Sequence, residues 1–307
     1  MSPAKPRTGD GASSNGSLWQ IVATHWRAIA AVVLAVAAIG AGRWTWQSIS
    51  TRLAADPRYR LDPQQITMTP KPEWVRADVL AEVLRDGSLD NGPSLLDPRL
   101  AQRAAKAFEM HPWVARTLEV RKLSPAGLDV RLEYRRPACM VEVPGGLFAV
   151  DEHAVLLPSA DFGAADAQKY PRLSGISTIT EGPVGTRWED PIVQGGAQVA
   201  AAVAEVWQEY RFVRIVPSAM HGTTASHEPQ FEILTRRGTR VRWGYAPSAD
   251  LSGEPTAAEK LARLKKYVAA HGSLDPANGA VDLDLRHGGD IVATPRMAAA
   301  DDDSQKR

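Results

Sequence analysis

Residues 111–138 read HPWVARTLEVRKLSPAGLDVRLEYRRPA. In the second half of this stretch Leu128, Val130, Leu132 and Tyr134 alternate with Asp129, Arg131, Glu133 and Arg135. A period of two predicts a strand with one face in a core and the other in water. Residues 114–120 alternate more loosely, and Ser124-Pro125-Ala126-Gly127 between the two runs is turn chemistry, so the stretch reads as a hairpin. Upstream of it, Val75, Val79, Leu80, Val83 and Leu84 have the spacing of a helix over 74–85, stopped at Asp86-Gly87. Asp97 and Pro98 can cap and open a second helix with Leu100, Ala104, Ala107 and Phe108 inward, ended by Pro112. Before both lies a short strand, Ile66-Thr67-Met68, closed by Thr69-Pro70. A strand, two helices and a hairpin make a compact β-α-α-β-β unit over 63–136, small but viable alone.

Downstream, residues 137–295 are expected to form a mostly antiparallel β domain with two helices, which makes the fold class α+β. Residues 140–143, 147–150 and 154–157 are short apolar runs separated by Pro144-Gly145-Gly146 and Asp151-Glu152-His153, the spacing of a meander. Residues 193–210 read as a helix with Val199, Val203, Val206 and Tyr210 on one stripe. Residues 231–235 and 239–245 flank Arg236-Arg237-Gly238 as a hairpin. Thr256 and Glu259 form a capping box for a helix with Leu261, Leu264 and Val268 inward and basic residues outward, ended at Gly272. Residues 281–286 alternate cleanly, and a last short strand, 291–293, runs into Pro295.

The N-terminal end carries a different signal. Residues 28–42, AIAAVVLAVAAIGAG, hold no charge. This run is shorter than the ~20 residues of a membrane span, but Ile21, Val22 and Ala23 precede it and Arg27 can snorkel. Trp19 and Trp26 stand on one side, Trp44 and Trp46 on the other, where indole favours the membrane–water boundary. From Trp26 to Trp44 a helix rises about 27 Å at ~1.5 Å per residue, near the thickness of the hydrocarbon layer. An alanine-rich buried helix would not need paired tryptophans. A cleaved signal peptide, with Gly40-Ala41-Gly42 as its site, would have an unusually long leading region. The expectation is an uncleaved single-pass anchor over 21–45, with a connector over 46–62 and solvated tails at 1–20 and 296–307. The polar leading tail cannot bury a core, so every foldable segment lies on the far side of the bilayer.

Chemistry is sparse. The chain has 307 residues, room for about two domains, and 36 Lys+Arg balance 35 Asp+Glu to leave +1, no basic excess for nucleic acid. The single cysteine, Cys139, can form no internal disulfide or Cys-based metal site and reads as a small buried apolar residue. His25, His111, His153, His221, His227, His271 and His287 show no metal-ligand spacing. His221 and His227 share a loop that reads as solvated. Ser174-Gly175 lacks the context of a nucleophile elbow. Gly145-Gly146, Gly195-Gly196 and Gly288-Gly289 read as turns rather than phosphate loops. Asp282 and Asp284 fall on the outer face of their strand, where charges ordinarily sit. No catalytic, cofactor-binding or metal residue is assigned.

The order of segments resembles the FtsQ/DivIB family of bacterial cell-division proteins, in which a POTRA domain follows a single anchor. The resemblance rests on His111-Pro112-Trp113-Val114, on 120–125 (VRKLSP) and on 128–138 (LDVRLEYRRPA), which are similar to the family's "PWV…V.R..P..L.V.V.ER.P.A" pattern. Residues 148–157 resemble its "lvd.dG.v" step and 170–175 (YPRLSG) its "LP.L.G". Residues 260–264 (KLARL) and 284–286 (DLR) match the late helix and strand. The resemblance covers about residues 66–294. It departs from the family at Thr69-Pro70, where a Gly-Asn-like end is usual, in the long loop 86–98, and at Tyr134-Arg135 in place of Glu-Arg.

Membership implies a non-catalytic inner-membrane scaffold of the septal complex. It would bind FtsB/FtsL-like partners, and through them the septal wall synthases, and would need no cofactor, small-molecule substrate or nucleic acid. The family's partner contact is edge-strand pairing at the last strand. Here it maps onto Ile291, Val292, Ala293 and Thr294, beside Asp284 and Arg286. An open terminal strand is a template for an incoming one, whereas Pro295 and Arg296 would blunt it. The rival classes are an envelope enzyme acting on the cell wall and a POTRA-type assembly or export factor.

Overall fold

The described chain opens with a 39-residue helix, α1 (Gly16–Ala54). The computed structural model describes residues 16–54, 56–180, 182–218, 228–249 and 253–296, without the side chains of 16–25, 28–29 and 50–54. His221, His227, most of the leading tail and the tail from 297 onward therefore lie outside the described residues, as do the side chains of Trp19 and His25. No proline interrupts the chain until Asp56-Pro57, and the helix overruns the expected 21–45 at both ends. Val32, Val33 and Leu34 point about 100° apart around the axis and are 62%, 60% and 71% exposed, so no described residue covers that turn on any side. The hydroxyls of Thr45 and Ser48 bond back to the carbonyls of Ala41 and Trp44 at 2.9 Å each, leaving no side-chain hydroxyl of that turn unpaired. Among the described residues, no helix is long and apolar enough to cross a membrane.

The next elements are β1 (Ile66–Met68), α2 (Val79–Asp86), α3 (Leu100–Glu109), β2 (Val114–Leu123) and β3 (Gly127–Tyr134), the expected β-α-α-β-β order. The sheet runs β1-β3-β2, with β1 parallel and β2 antiparallel to β3. Leu128, Val130 and Leu132 face the helices and are buried, as the alternation requires. Both helices start later than expected. Asp78 accepts the Ala81 N–H at 3.2 Å and so caps α2, while Val75 is buried in the preceding turn. Asp97 accepts the Arg99 N–H, capping a turn that ends just before α3. A Cβ on Gly87 would lie 2.7 Å from that of Ala107, so the end of α2 packs closely on α3.

The second sheet is built from β4 (Pro137–Val143), β5 (Gly146–Asp151), β6 (Arg172–Leu173), β7 (Phe212–Pro217), β8 (Gln230–Thr235), β9 (Arg240–Tyr245), β10 (Val281–Asp284) and β11 (Ala293–Pro295). Its helices are a short α4 (Ala164–Ala167), then α5 (Pro191–Val203) and α6 (Ala257–His271). The strand order is β11-β10-β9-β8-β7-β6-β4-β5. Three of its seven pairings, β4–β6, β6–β7 and β9–β10, are parallel and the other four antiparallel, so the sheet is mostly antiparallel, as expected, with short parallel pairings inside it.

Several local expectations need correction. Residues 154–157 make isolated bridges instead of a strand, because Asp151 accepts the N–H groups of His153 and Val155 and folds the chain back on itself. The helix expected over 193–210 ends at Val203 in a 3₁₀ turn, although Val206 and Tyr210 are buried as expected. Gly195 and Gly196 lie inside α5, where a Cβ would meet the Phe231 ring at 2.8 Å and the Leu173 side chain at 2.6 Å. They let the helix sit close on the sheet, and are not a turn. The last strand lies two residues later than expected. Lys260, assigned to the outer face of α6, is buried.

The buried side chains form two clusters. The larger lies between the second sheet and α5 and α6. The smaller joins α2, α3 and the first sheet, and also takes in Met140, Ala149 and Leu157.

Candidate functional site

The last two strands form one end of the large sheet. On β10, Val281, Leu283 and Leu285 beyond it are buried, while Asp282, Asp284 and Arg286 alternate onto the outer face. β10 is parallel to β9, with Asp282 beside Arg240 and Asp284 beside Arg242. Arg242 Nη2 donates to Asp282 Oδ2 at 2.9 Å. Arg286 grips Asp284 with two donors, Nε to Oδ1 at 3.0 Å and Nη2 to Oδ2 at 2.6 Å. Burial acts to raise the Asp284 carboxyl, but the Arg286 hydrogen bonds and charge outweigh it and hold the group below the usual carboxylate range.

β11 pairs antiparallel with β10 through Val281–Pro295, Asp282–Thr294 and Leu283–Ala293. The Arg296 N–H donates to the Ala280 carbonyl at 3.0 Å, and the Leu285 N–H donates to Arg242 on the opposite side of β10. By strand alternation, the peptide group of Thr294 therefore points toward β10 and that of Ala293 points away. Pro295 also has its carbonyl outward but has no N–H to offer. Within β11 the open edge thus presents one donor and two acceptors. Continuing the register by one residue puts Val292, 73% exposed, across from Asp284 on the outer face, next to Thr294. Ile291 turns the other way and packs on the larger core.

The residues expected to bind a partner are thereby brought together. Ala293 supplies backbone groups, Ile291 packs just before it on the core, and Val292, Thr294, Asp284 and Arg286 supply the adjoining face. Asp282, read from the sequence as an outer-face charge, shares that face with Arg242, which was not singled out although the alternation of 240–245 (RVRWGY) already puts it there.

Elsewhere the titratable groups have local duties. His111 accepts the Trp113 N–H on Nδ1 at 3.2 Å and so presents Nε2–H to Glu82 at 3.0 Å. Cys139 is fully buried in β4, and burial, with Asp151 nearby, pushes its thiol far above the usual range. Among the described residues, no group of three or more His, Cys, Asp or Glu could hold a metal ion.

Over 195 residues the chain is 31% identical to the cell division protein FtsQ of Anaeromyxobacter sp. (strain K). This likeness supports a distant relation to the FtsQ/DivIB family. The match takes in 62% of this chain and 58% of that FtsQ, less than two thirds of its length. No family model matches the chain. The FtsQ likeness agrees with the family read from the sequence.

Proposed function

We propose that this chain is a non-catalytic scaffold of the cell-division complex. In this reading it is held in the inner membrane by α1 as a single-pass anchor, with its leading tail cytoplasmic and the units at 63–136 and 137–295 outside. It recruits FtsB/FtsL-like partners by strand pairing on β11, and through them the septal wall synthases. The observation that carries this reading is the open β11 edge in a chain similar to FtsQ. An incoming strand would use the outward groups of Ala293 for affinity and the exposed Val292–Asp284–Arg286 face for specificity.

Membrane anchoring is supported by the bare apolar surface of α1. Although α1 falls short of the length and apolarity of a membrane span, its stretch 31–42 is charge-free and exposed on all sides, and such a surface favours another apolar phase over water. Trp26, Trp44 and Trp46 are 59%, 70% and 72% exposed, and Arg27 lies over the Trp26 ring at 5.9 Å, a grouping suited to an interface. A division role for the chain would follow that of its FtsQ relative.

The test uses the outward and inward parity of β11. Ala293→Pro removes only an outward donor, and Val292→Glu adds charge to the exposed face. Each is expected to abolish co-purification of the FtsB/FtsL-like partners with the full-length chain from membranes, with the melting temperature nearly unchanged. Normal co-purification by both variants would remove β11 as the binding edge.

A further inference from the structure

Only residues 55–58 separate the end of α1 from the first contact with the folded unit, in which the Leu95 N–H donates to the Tyr59 carbonyl at 2.7 Å. Four residues span at most about 14 Å. The connector then stays seated. Arg60 bridges to Ser94, the Leu61 N–H donates to Pro93 at 2.9 Å, and the Asp62 N–H donates to Ala126 at 2.9 Å. Loop 93–97 and turn 124–127 therefore flank the connector at the end of the unit nearest α1. Lys122 Nζ, donating to the carbonyls of Leu95 and Asp97, ties that loop to the tip of β2.

This end exposes two leucines, Leu96 at 46% and Leu123 at 40%. It also exposes Arg58 and Arg60, whose side chains make no ion pair or hydrogen bond among the described residues. Of the nearby acids Asp90 is exposed and unpaired among the described residues, and the others are engaged. Asp56 and Asp62 cap the connector's turns, Asp97 holds Arg99 N–H and Arg103, and Asp129 holds Thr67 and Arg121. Two unpaired guanidiniums beside two bare leucines, tethered within a few residues of an apolar helix, suit a surface that is anionic outside and apolar beneath.

We propose that this end of the first unit docks on the bilayer that holds α1, with Leu96 and Leu123 in the headgroup boundary and Arg58 and Arg60 on anionic lipid phosphates. The proposal rests on the membrane anchoring argued above. Docking would fix the height and tilt of the unit above the membrane, which a flexible connector could not do.

The experiment places the full-length chain in phosphatidylcholine vesicles with or without phosphatidylglycerol and with brominated acyl chains as quencher. A thiol-reactive fluorophore is attached at Leu96→Cys, Leu123→Cys or Met110→Cys, the native Cys139 being buried and unreactive. Met110 is 76% exposed at the opposite end of α3, about 15 Å along the helix from loop 93–97. The expected result is several-fold stronger quenching at positions 96 and 123 than at 110, enhanced by phosphatidylglycerol. Adding Arg58→Gln and Arg60→Gln should lower the docked fraction, by about fivefold in equilibrium constant per arginine. Equal quenching at all three positions, in protein that floats with the vesicles, would overturn docking and leave anchoring intact. Failure to float would remove both.

Discussion

Lys260 lies on the inner side of α6 with 3% of its side chain exposed, donating to Glu254 Oε2 at 2.6 Å and standing 5.3 Å above the Trp243 ring. The same carboxylate oxygen accepts the Tyr245 N–H at 3.2 Å, so Glu254 pins the loop before α6 to β9. Removing one partner of such a pair costs more than removing the charge altogether, because it strands an ion in a low dielectric. Glu254→Ala should therefore lower unfolding free energy by about 3–5 kcal/mol. Lys260→Met, which leaves a partly exposed carboxylate still bonded to Tyr245, should cost clearly less; urea midpoints of the two variants decide this. At the sheet edge, the lowered Asp284 carboxyl makes a pH-dependent contribution. A folded pKa below the unfolded value of about 3.9 means the Arg286 contact stabilises the protein above that pH and is lost as pH falls through the lower folded value. The stability gap between the natural chain and Arg286→Gln should be constant near neutral pH and close in acid. A gap that widened in acid would contradict the assignment.

At the scale of elements, α5 sets two effects against each other. Replacing Gly196 by alanine would raise helix propensity by about 1 kcal/mol. The added Cβ would stand 2.6 Å from the Leu173 side chain in a fully buried contact. Overpacking of that kind costs about 1–3 kcal/mol, so the net change should be destabilising. Thermal melts of Gly196→Ala against an alanine at exposed Gly145, which has open space around it, test the sign. The α5 example also marks what was legible. Val199 and Val203 announce their inward face because the helical period is written in neighbouring residues, and the Thr256–Glu259 box is a local motif with one meaning. A glycine pair, by contrast, reads alike whether it turns the chain or lets a sheet approach, since the partner Leu173 is over twenty residues away. The same distance hides the parallel pairings of β4, β6, β7, β9 and β10. For Lys260 the period did mark an inward position, one turn before Leu264, and the charge argued against it until Glu254 was seen to meet it. The edge residues were legible because the alternation of 281–286 fixes the faces, while the two-residue shift of β11 depends on the Arg296–Ala280 bond, which no local pattern encodes.

Over the whole molecule, the first unit does not keep its core to itself. Met140, Ala149 and Leu157, at 2%, 1% and 0% exposure, close the cluster formed by α2, α3 and the first sheet. Polar contacts cross at the same place. Trp113 Nε1 donates to Asp161 at 2.7 Å, Arg76 pairs with Asp166, and the largely buried Arg135 donates to Asp151 at 2.7 Å. Burying a methionine and a leucine is worth roughly 1.5–3 kcal/mol each. A unit of some 80 residues holds only about 4–12 kcal/mol in total. Cutting the chain after residue 136 therefore removes a large share of that margin and leaves Trp113 without its acceptor. Residues 56–136 alone should show weak near-ultraviolet dichroism and an early, shallow melt, whereas 56–296 should melt in one sharp transition observed equally by dichroism and by tryptophan fluorescence. The point variant Asp151→Ala, which strands Arg135 without deleting any chain, should lower that single transition and keep it single. Two separate transitions in the natural 56–296 chain, or an isolated 56–136 as stable as the whole, would mean that the two clusters fold independently and that the contacts across residue 136 bring them together without stabilising either.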